Sequence, residues 1–503
     1  MHRTPRVSRQ LPAILLGLLM SGYAWEPAPI PSTGTRERGT WLVVSEDSTG
    51  PDGDALVRLS GGALIQEIRA IGVYTLSGDS EVGKRLAANR KLRVVRVGDA
   101  DVQAASVAVP LGTPHSLGSV ISPSTAQMAD QMLTLPFVDD DFYFAGQWAL
   151  DAIDAPEAWA TGQRGRGVRV AVLDTGIDPT HPDLAANVNA ALARSFVPGQ
   201  TWDVSTDPAI VVDHGTHISG IIAAADNAFG IIGVAPQAEI VPVQVLRRPT
   251  GKGDVGAVIA GIVYAADIDA DVINLSLAFS FSHSGGVDDK GTEDPSDDAV
   301  YTAADVAALM VAVNRAAEYA HARGATIITG TANGATDGNH DGSGFYLPRD
   351  SPHLITVGAT GPLGWALGAG VSLDTPAVYV NYGQSVMELS APGGNVHWGL
   401  IASNVLCTLT SGPVSVTYPC WFFDGVVSTA PVAGGFLYEF RAGTSQASAH
   451  VSGVAALIIG KNGGSMNPAH VRARLRGSAE DLGQSGKDQF YGLGRVNAFR
   501  AVQ

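Results

Sequence analysis

Cysteine is scarce, with two in 503 residues, Cys407 and Cys420. A zinc site built on that pair would need further ligands close by in the sequence, and none is there. Charge is also sparse, at 16% of residues, and basic charge more so. Lys and Arg total 32 against 48 Asp and Glu, for a net charge of −16. That balance argues against binding a phosphate backbone as the main task, so no nucleic-acid partner is expected. Long apolar runs are missing. The longest begins near Leu11 and falls short of the roughly 20 residues that span a bilayer. No internal repeat is present. What is abundant is glycine, 60 residues, within a chain that is 45% hydrophobic. This suits many tight turns around a large packed α/β core, with length for two or three domains.

The N-terminus has a processing pattern. Arg3, Arg6 and Arg9 precede "LPAILLGLLMSGYA", a basic segment followed by a short apolar one, and Gly22-Tyr23-Ala24 supplies small residues. Residues 1–24 read as a signal peptide cleaved near Ala24. The alternative is an N-terminal membrane anchor, for which the apolar segment is short. The expectation is a secreted chain with no stable membrane anchor. In an exported chain an isolated cysteine pair often bonds, so Cys407–Cys420 is expected to be a disulfide.

Residues 40 to 100 read as a small α+β unit. "TWLVVSED" and "DALVRLS" look like strands, "SEVGKRLAANRKL" like a helix and "RVVRVGD" like a closing strand. A Ser/Pro/Gly-rich stretch, "VPLGTPHSLGSVISPSTAQ", reads as a linker. Strands and helices then alternate. "VRVAVLD" (168–174), "EIVPVQVL" (239–246), "ADVINLSLAF" (270–279), "GATIITGTA" (324–332) and "LITVGAT" (354–360) are β-branched apolar runs, as in strands buried on both faces. "HISGIIAAA", "DVGAVIAGIVYAA" and "LMVAVNRAAEYAHARG" read as helices between them. The fold class is an α/β, open, mostly parallel sheet with helices on both faces. Sites in such sheets lie at the carboxyl ends of the strands.

Four stretches place reactive residues there. In "VAVLDTGID" a strand runs into Asp174, which serves either as a functional carboxylate or as a turn residue. In "DHGTHISGIIAAA", His214 and His217 share a helix face at i, i+3. They are a zinc pair, one catalytic and one packed histidine, or two packed ones, and no Glu follows His214 as in an H-E-x-x-H protease. In "IITGTANGATDG", Asn333 is an oxyanion donor or half of an Asn-Gly turn. In "RAGTSQASAH", Ser445 opens an apolar helix, where free N–H groups favour negative charge, and Ser448 lies one turn further in. Nucleophilic serine catalysis needs these parts together: an imidazole base, a carboxylate that orients it, and donors for the oxyanion.

"VAVLDTGID", "HGTHISG" and "GTSQASAHVSG", in this order, resemble the subtilisin (subtilase) family of serine endopeptidases, over roughly residues 140–503. The resemblance implies that Asp174 orients, His214 is the general base, Ser445 is the nucleophile, and Asn333 with the Ser445 N–H forms the oxyanion hole. His217 is then structural. Protein or peptide substrates are implied, bound between two edges: "TGKGD", through Gly251 and Gly253, and "SLAF", through Ser276, Leu277 and Ala278. The chain departs from the family at Ala278 and Ala332, where glycine is usual, and both changes narrow or reshape the primary pocket. Gln446 stands where Met is usual and Ala449 where Pro is usual.

The resemblance also implies structural Ca²⁺. Asp183 of "THPDL" would be a ligand, with the Asn227 side chain and the carbonyls of Ala225, Phe229 and Ile231, and Asp140 as an addition. A metal-free, hydrogen-bonded loop is the alternative. "DGNHDG" imitates the start of a second calcium loop through Asp337, Asn339 and Asp341, but lacks its closing Glu. The organisation implied is a signal peptide (1–24), an inhibitory propeptide at about 40–100 with a processing linker (25–135 in all), and a catalytic domain (136–503). The chain would be a monomer, with its own propeptide as an intramolecular inhibitor and the mature start between about 105 and 140. The acidic insertion at 280–306 is a solvated loop or a flank of the cleft that favours basic substrates. Rival readings are a catalytically inactive homologue used as a binding scaffold, and a peptidase dedicated to one partner.

Overall fold

The computed structural model describes residues 39–503, apart from 48–49, 98–102, 105–106, 109–140, 142–143, 206–212, 249, 289–298, 342–343, 369, 412–413 and 433–436. The expected signal peptide, the linker, Asp140 and residues 289–298 of the acidic insertion lie outside the described residues. Among those described, no helix is long and apolar enough to cross a membrane.

Seven strands form one sheet, in the order Leu389–Pro392, Leu354–Thr360, Thr326–Gly330, Val272–Leu275, Arg169–Asp174, Glu239–Gln244 and Arg194–Ser195. Every neighbouring pair is parallel. Side chains alternate across a strand, so each face feeds a separate core. Val170 and Val172 pack with Ile218 and Val451, from the helices His214–Ala223 and Thr444–Lys461. Ala171 and Leu173 pack with Val258 and Leu309, from the helices Val255–Asp267 and Ala303–Ala322. The starts of the last two helices are written locally. Asp254 accepts from Gly256 N at 2.7 Å. Thr302 and Asp305 form a reciprocal capping box, Asp305 N to Thr302 Oγ1 at 3.2 Å and Thr302 N to Asp305 Oδ2 at 2.8 Å.

The run expected as one strand over 270–279 is two. Val272–Leu275 stays in the parallel sheet. After Ser276 the chain turns out, and Leu277–Ser282 pairs antiparallel with Gly344–Leu347. This change of direction at the carboxyl end of the sheet gives Leu277–Ser282 two edges, one paired with Gly344–Leu347 and the other with Gln103–Ala104.

The small unit is a four-stranded sheet, Ala63–Ile68, Val73–Gly78, Gly39–Ser45 and Leu92–Val97, with antiparallel neighbours. "DALVRLS" is a helix, Gly53–Ser60, rather than the expected strand. Asp52 caps it by accepting from Asp54 N at 3.1 Å, Gly61 ends it at φ 73, and Gly53, Leu56 and Ser60 bury one face. A spacing of three and four is helical, and it outweighs the β-branched content of the run. One face of the sheet meets its own helices through Val43, Tyr74 and Leu76. The other face, Leu42, Val44, Val73 and Val95, shares a core with Val255–Asp267 and Ala303–Ala322. Arg315 bonds across this junction, Nη1 to Ser45 O at 2.8 Å and Ile71 O at 3.2 Å, and Nη2 to Glu46 O at 3.1 Å.

Two short segments follow the small unit. Gln103–Ala104 pairs antiparallel with Leu277–Ala278, and Val107–Ala108 with Arg441–Ala442. Cys407 and Cys420 are disulfide-bonded, closing the hairpin of Leu406–Ser411 and Val414–Pro419.

Candidate active site

Asp174 is the last residue of its strand, and His214 the first of its helix. Their side chains meet at 2.7 Å, His214 Nδ1 donating to Asp174 Oδ2, with both side chains almost wholly buried. Asp174 Oδ1 accepts from Thr175 N at 2.7 Å, so both carboxylate oxygens are held. Thr175 also accepts from His214 N at 3.2 Å and Gly215 N at 3.1 Å, which locks the helix start to the strand end. His214 Nε2 is buried and has no hydrogen-bond partner. With Nδ1 committed as a donor, Nε2 is the atom left to take a proton.

Ser445 lies in the first turn of Thr444–Lys461, fully buried, and its Oγ donates to Ser276 O at 3.2 Å. Asn333, just past the strand Thr326–Gly330, accepts from Thr444 N through Oδ1 at 3.0 Å. That bond fixes which end of the amide is taken and leaves its N–H₂ end to donate. The four residues expected from the sequence thus share the carboxyl end of the sheet. Ser448 is fully buried, its Oγ 2.9 Å from Ser445 O and 3.0 Å from Ser276 Oγ. The sequence reading missed the rest of this polar seam. Asn274 accepts from Ser276 Oγ at 2.8 Å and donates to Ser452 Oγ at 3.0 Å, tying the end of Val272–Leu275 to the helix Thr444–Lys461. A Ser at i+7 from Ser445 and an Asn two before Ser276 were the available signals.

His217 is no zinc ligand. Its Nε2 lies 3.3 Å from Glu439 O, and Gln446 Nε2 lies 3.4 Å from its Nδ1. Burial, with Arg441 nearby, holds its pKa well below the ordinary histidine value. Gln446, a departure in the sequence, is thereby spent on this neutral ring. Asp213, beside His214, was not singled out; burial pushes its carboxyl well above the usual range, against the opposing pull of Arg441.

Of the two expected cleft edges, Leu277–Ala278 carries a paired strand. Gly251 and Gly253 instead close a tight turn, with Gly251 N donating to Arg247 O at 2.8 Å and Gly253 bridging Leu246. Ala332 sits at φ 74, a left-handed backbone that glycine adopts without strain.

The expected calcium residues converge. Asp183 Oδ2 accepts from Ile231 N at 3.0 Å and Tyr438 OH at 2.9 Å, while Asp183 Oδ1 is buried without a partner. Burial pushes the Asp183 carboxyl up to about 6. Ala225 N donates to Asp183 O at 2.8 Å, and Asn227 Nδ2 lies 3.4 Å from Pro182 O. Gly230 has φ +72, and a Cβ there would meet the Tyr438 hydroxyl at 1.7 Å. Asp140 lies outside the described residues, but its neighbour Asp141 is buried and accepts from Phe229 N at 2.9 Å. At the second candidate loop, Asp337 accepts from Asn339 N at 3.0 Å and His340 Nδ1 at 2.7 Å, and Asn339 Oδ1 from Ser385 N at 3.0 Å. Those oxygens are engaged by the protein's own donors. Among the described residues, no group of three or more His, Cys, Asp or Glu is placed to hold a metal.

Comparison with known proteins adds to this geometry. Residues 165–494 match the family model described as "Subtilase family". Subtilisin BL of Lederbergia lenta is 32% identical over 356 residues, covering 71% of this chain and 98% of the relative. Thermitase of Thermoactinomyces vulgaris is 30% identical over 366 residues, covering 73% and 99%. The structure of the epidermin leader peptide processing serine protease from Staphylococcus aureus superposes with a TM-score of 0.65 at 19% identity, covering 93% of this chain and 99% of that one. That last likeness speaks to the fold alone.

Proposed function

Since the chain belongs to the subtilase family and is a serine endopeptidase acting on proteins, we propose that Asp174, His214, Ser445 and Asn333 do its chemistry, in a secreted chain made as an autoprocessed zymogen. The observation that carries this reading is the buried 2.7 Å bond from His214 Nδ1 to Asp174, with Nε2 left unbonded. Nε2 takes the Ser445 proton as Oγ attacks the scissile carbonyl. Asp174 holds the tautomer and stabilises the imidazolium. The Asn333 amide, oriented by Thr444, and the Ser445 N–H meet the oxyanion. The substrate would lie along Ser276, Leu277 and Ala278, with the turn of Gly251 and Gly253 as the opposite rim.

The zymogen reading is supported by the segments that follow the small unit: Gln103–Ala104 pairs with Leu277–Ala278 and Val107–Ala108 with Arg441–Ala442, and Ser445 and His214 are fully buried in the full chain. The small unit, placed here as the inhibitory propeptide, is the part docked by its sheet face. The Asp183 loop fits Ca²⁺: a buried carboxylate oxygen without a partner is the group a hard cation satisfies. Asp183, Asn227 and the carbonyls of Ala225, Phe229 and Ile231 would hold it, with Asp141 rather than Asp140 as the second carboxylate. The ion would fix this loop against the His214 helix and take no part in bond cleavage.

Labelling of Ser445 by a fluorophosphonate probe, after maturation, tests the assignment. Labelling lost in Ser445→Ala and in His214→Ala is expected. Labelling that persists in Ser445→Ala would place the nucleophile elsewhere, and no labelling of the wild type would favour an inactive scaffold.

A further inference from the structure

Side chains alternate along the strand Leu277–Ser282. Leu277, Phe279 and Phe281 are buried in the core shared with Val255–Asp267 and Ala303–Ala322. Ala278, Ser280 and Ser282 therefore stand on the other face. The pairing with Gly344–Leu347 sets Phe279 against Leu347 and Ser280 against Tyr346. Residues opposite each other share a face, so Tyr346 stands with Ser280 and diagonal to Ala278. Leu347 enters the core with Phe279.

From this face Tyr346 reaches towards the turn that carries Asn333. A Cβ at Gly334, the residue after Asn333, would lie 4.0 Å from the Tyr346 hydroxyl. The ring thus spans the gap between the strand of Ala278 and the turn of Asn333. Arg349 braces it. The guanidinium carbon lies 4.4 Å from the ring centroid. Arg349 Nε donates to Asp350 Oδ1 at 2.7 Å and Nη2 to Asp350 Oδ2 at 3.0 Å, while Nη1 lies 3.5 Å from Thr331 O. Asp350 Oδ2 also accepts from Tyr346 N at 2.8 Å. The far side of the gap is fixed as well. Asn381 Oδ1 accepts from Gly334 N at 2.8 Å and Thr336 N at 3.1 Å, and Asn381 N donates to Ala332 O at 3.0 Å.

We propose that Tyr346, braced by Arg349, occupies the pocket for the substrate residue that gives up its carbonyl, and restricts that residue to Gly, Ala or Ser. This rests on the peptidase reading above and deepens it. With the substrate along Ser276–Ala278 and its carbonyl between Ser445 and the Asn333 amide, the side chain of that residue meets the gap between Ala278 and the Asn333 turn. The ring already fills that gap. Two methyl groups narrow it further. Ala278 stands on the same face as Tyr346. Ala332 adjoins Asn333 and is buried at φ 74, a left-handed backbone that disfavours any side chain. A methyl kept there takes up room that glycine would leave open. Selection is by size and not by charge, because Asp350 takes two of the Arg349 donor groups and Thr331 O faces the third.

Peptides that differ only in the residue before the cut test this on the matured enzyme. A pocket too small by one methylene discriminates by about 10- to 200-fold, so kcat/KM for Ala is expected to exceed that for Phe at least tenfold. Tyr346→Ala is expected to lower the Ala-to-Phe ratio at least tenfold, mainly by raising the value for Phe. Tyr346→Phe, which keeps the ring, is expected to change the ratio less than about threefold. The rate of fluorophosphonate labelling reports intact catalytic groups in each variant, whatever the substrate side chain. Should Tyr346→Ala fail to label, Ala278→Gly and Ala332→Gly widen the same gap with the ring in place, and each is expected to lower the ratio at least threefold. Equal cleavage of Ala and Phe peptides by the wild type, or an unchanged ratio in a labelling-competent Tyr346→Ala, or in both glycine variants, would overturn the proposal and leave the peptidase reading standing. No cleavage of any peptide together with no labelling of the wild type would overturn both.

Discussion

The catalytic body and the small N-terminal unit are both α/β, yet they bury their cores differently. In the body, alternate residues of one strand feed two cores that both belong to the body, as Val170 and Leu173 do. In the small unit one sheet face is closed by its own two helices, while the other is closed only by the body's helices. A unit of about 60 residues buries a smaller fraction of its surface by itself than a larger domain does. The first region therefore carries its own stability, and the second depends on its contact with the first. That asymmetry suits a part that is to be discarded.

The largest expected effect concerns chemistry in the body alone. Ser445→Ala is expected to lower kcat on the order of a millionfold, the loss known for a triad serine, and to leave the two regions in one chain; an electrophoresis time course checks this. Asn333→Ala is expected to lower kcat by about 100- to 1000-fold with little change in KM, and to delay separation of the regions by a similar factor. Normal turnover by that variant would remove Asn333 from the mechanism. Calcium removal sharpens the comparison, because its expected ligands lie only in the body. With free ion at roughly a thousand times its Kd, chelation costs about 4 kcal/mol. Calorimetry of the matured enzyme should show that loss, and Asp183→Ala should abolish the calcium dependence. The smallest effect is at the junction. Arg315→Ala removes charged hydrogen bonds to three carbonyls, which water largely replaces at this part-exposed site, for a net loss of about 1.5–3 kcal/mol. Inhibition of the mature enzyme by the separate small unit is expected to weaken about 10- to 100-fold, with kcat unchanged.

The parts of the site that were legible in the sequence are those whose chemistry is local. Asp174 at a strand end, His214 at a helix start and Ser445 at another each carry their context in a few flanking residues. Asn274 does not. Its role depends on Ser452, which is 178 residues away, and no local pattern encodes that distance. The split of one apolar run at Ser276 was invisible for the same reason: what ends the first strand is the antiparallel partner at Gly344–Leu347. "DALVRLS" failed differently. Its composition allows a strand, and only its caps and its buried spacing decide for a helix.

Arg315 reads Ser45, Glu46 and Ile71 solely through their carbonyl oxygens. A guanidinium that recognises main chain recognises a shape, whatever side chains decorate it. Arg315 therefore sets no demand on the side chains at those three places, although Ile71 answers to the shared core it packs in. If the small unit is the propeptide proposed above, it can diverge faster than the body that holds it, and grafting the unit of a distant relative onto this body should preserve the grip.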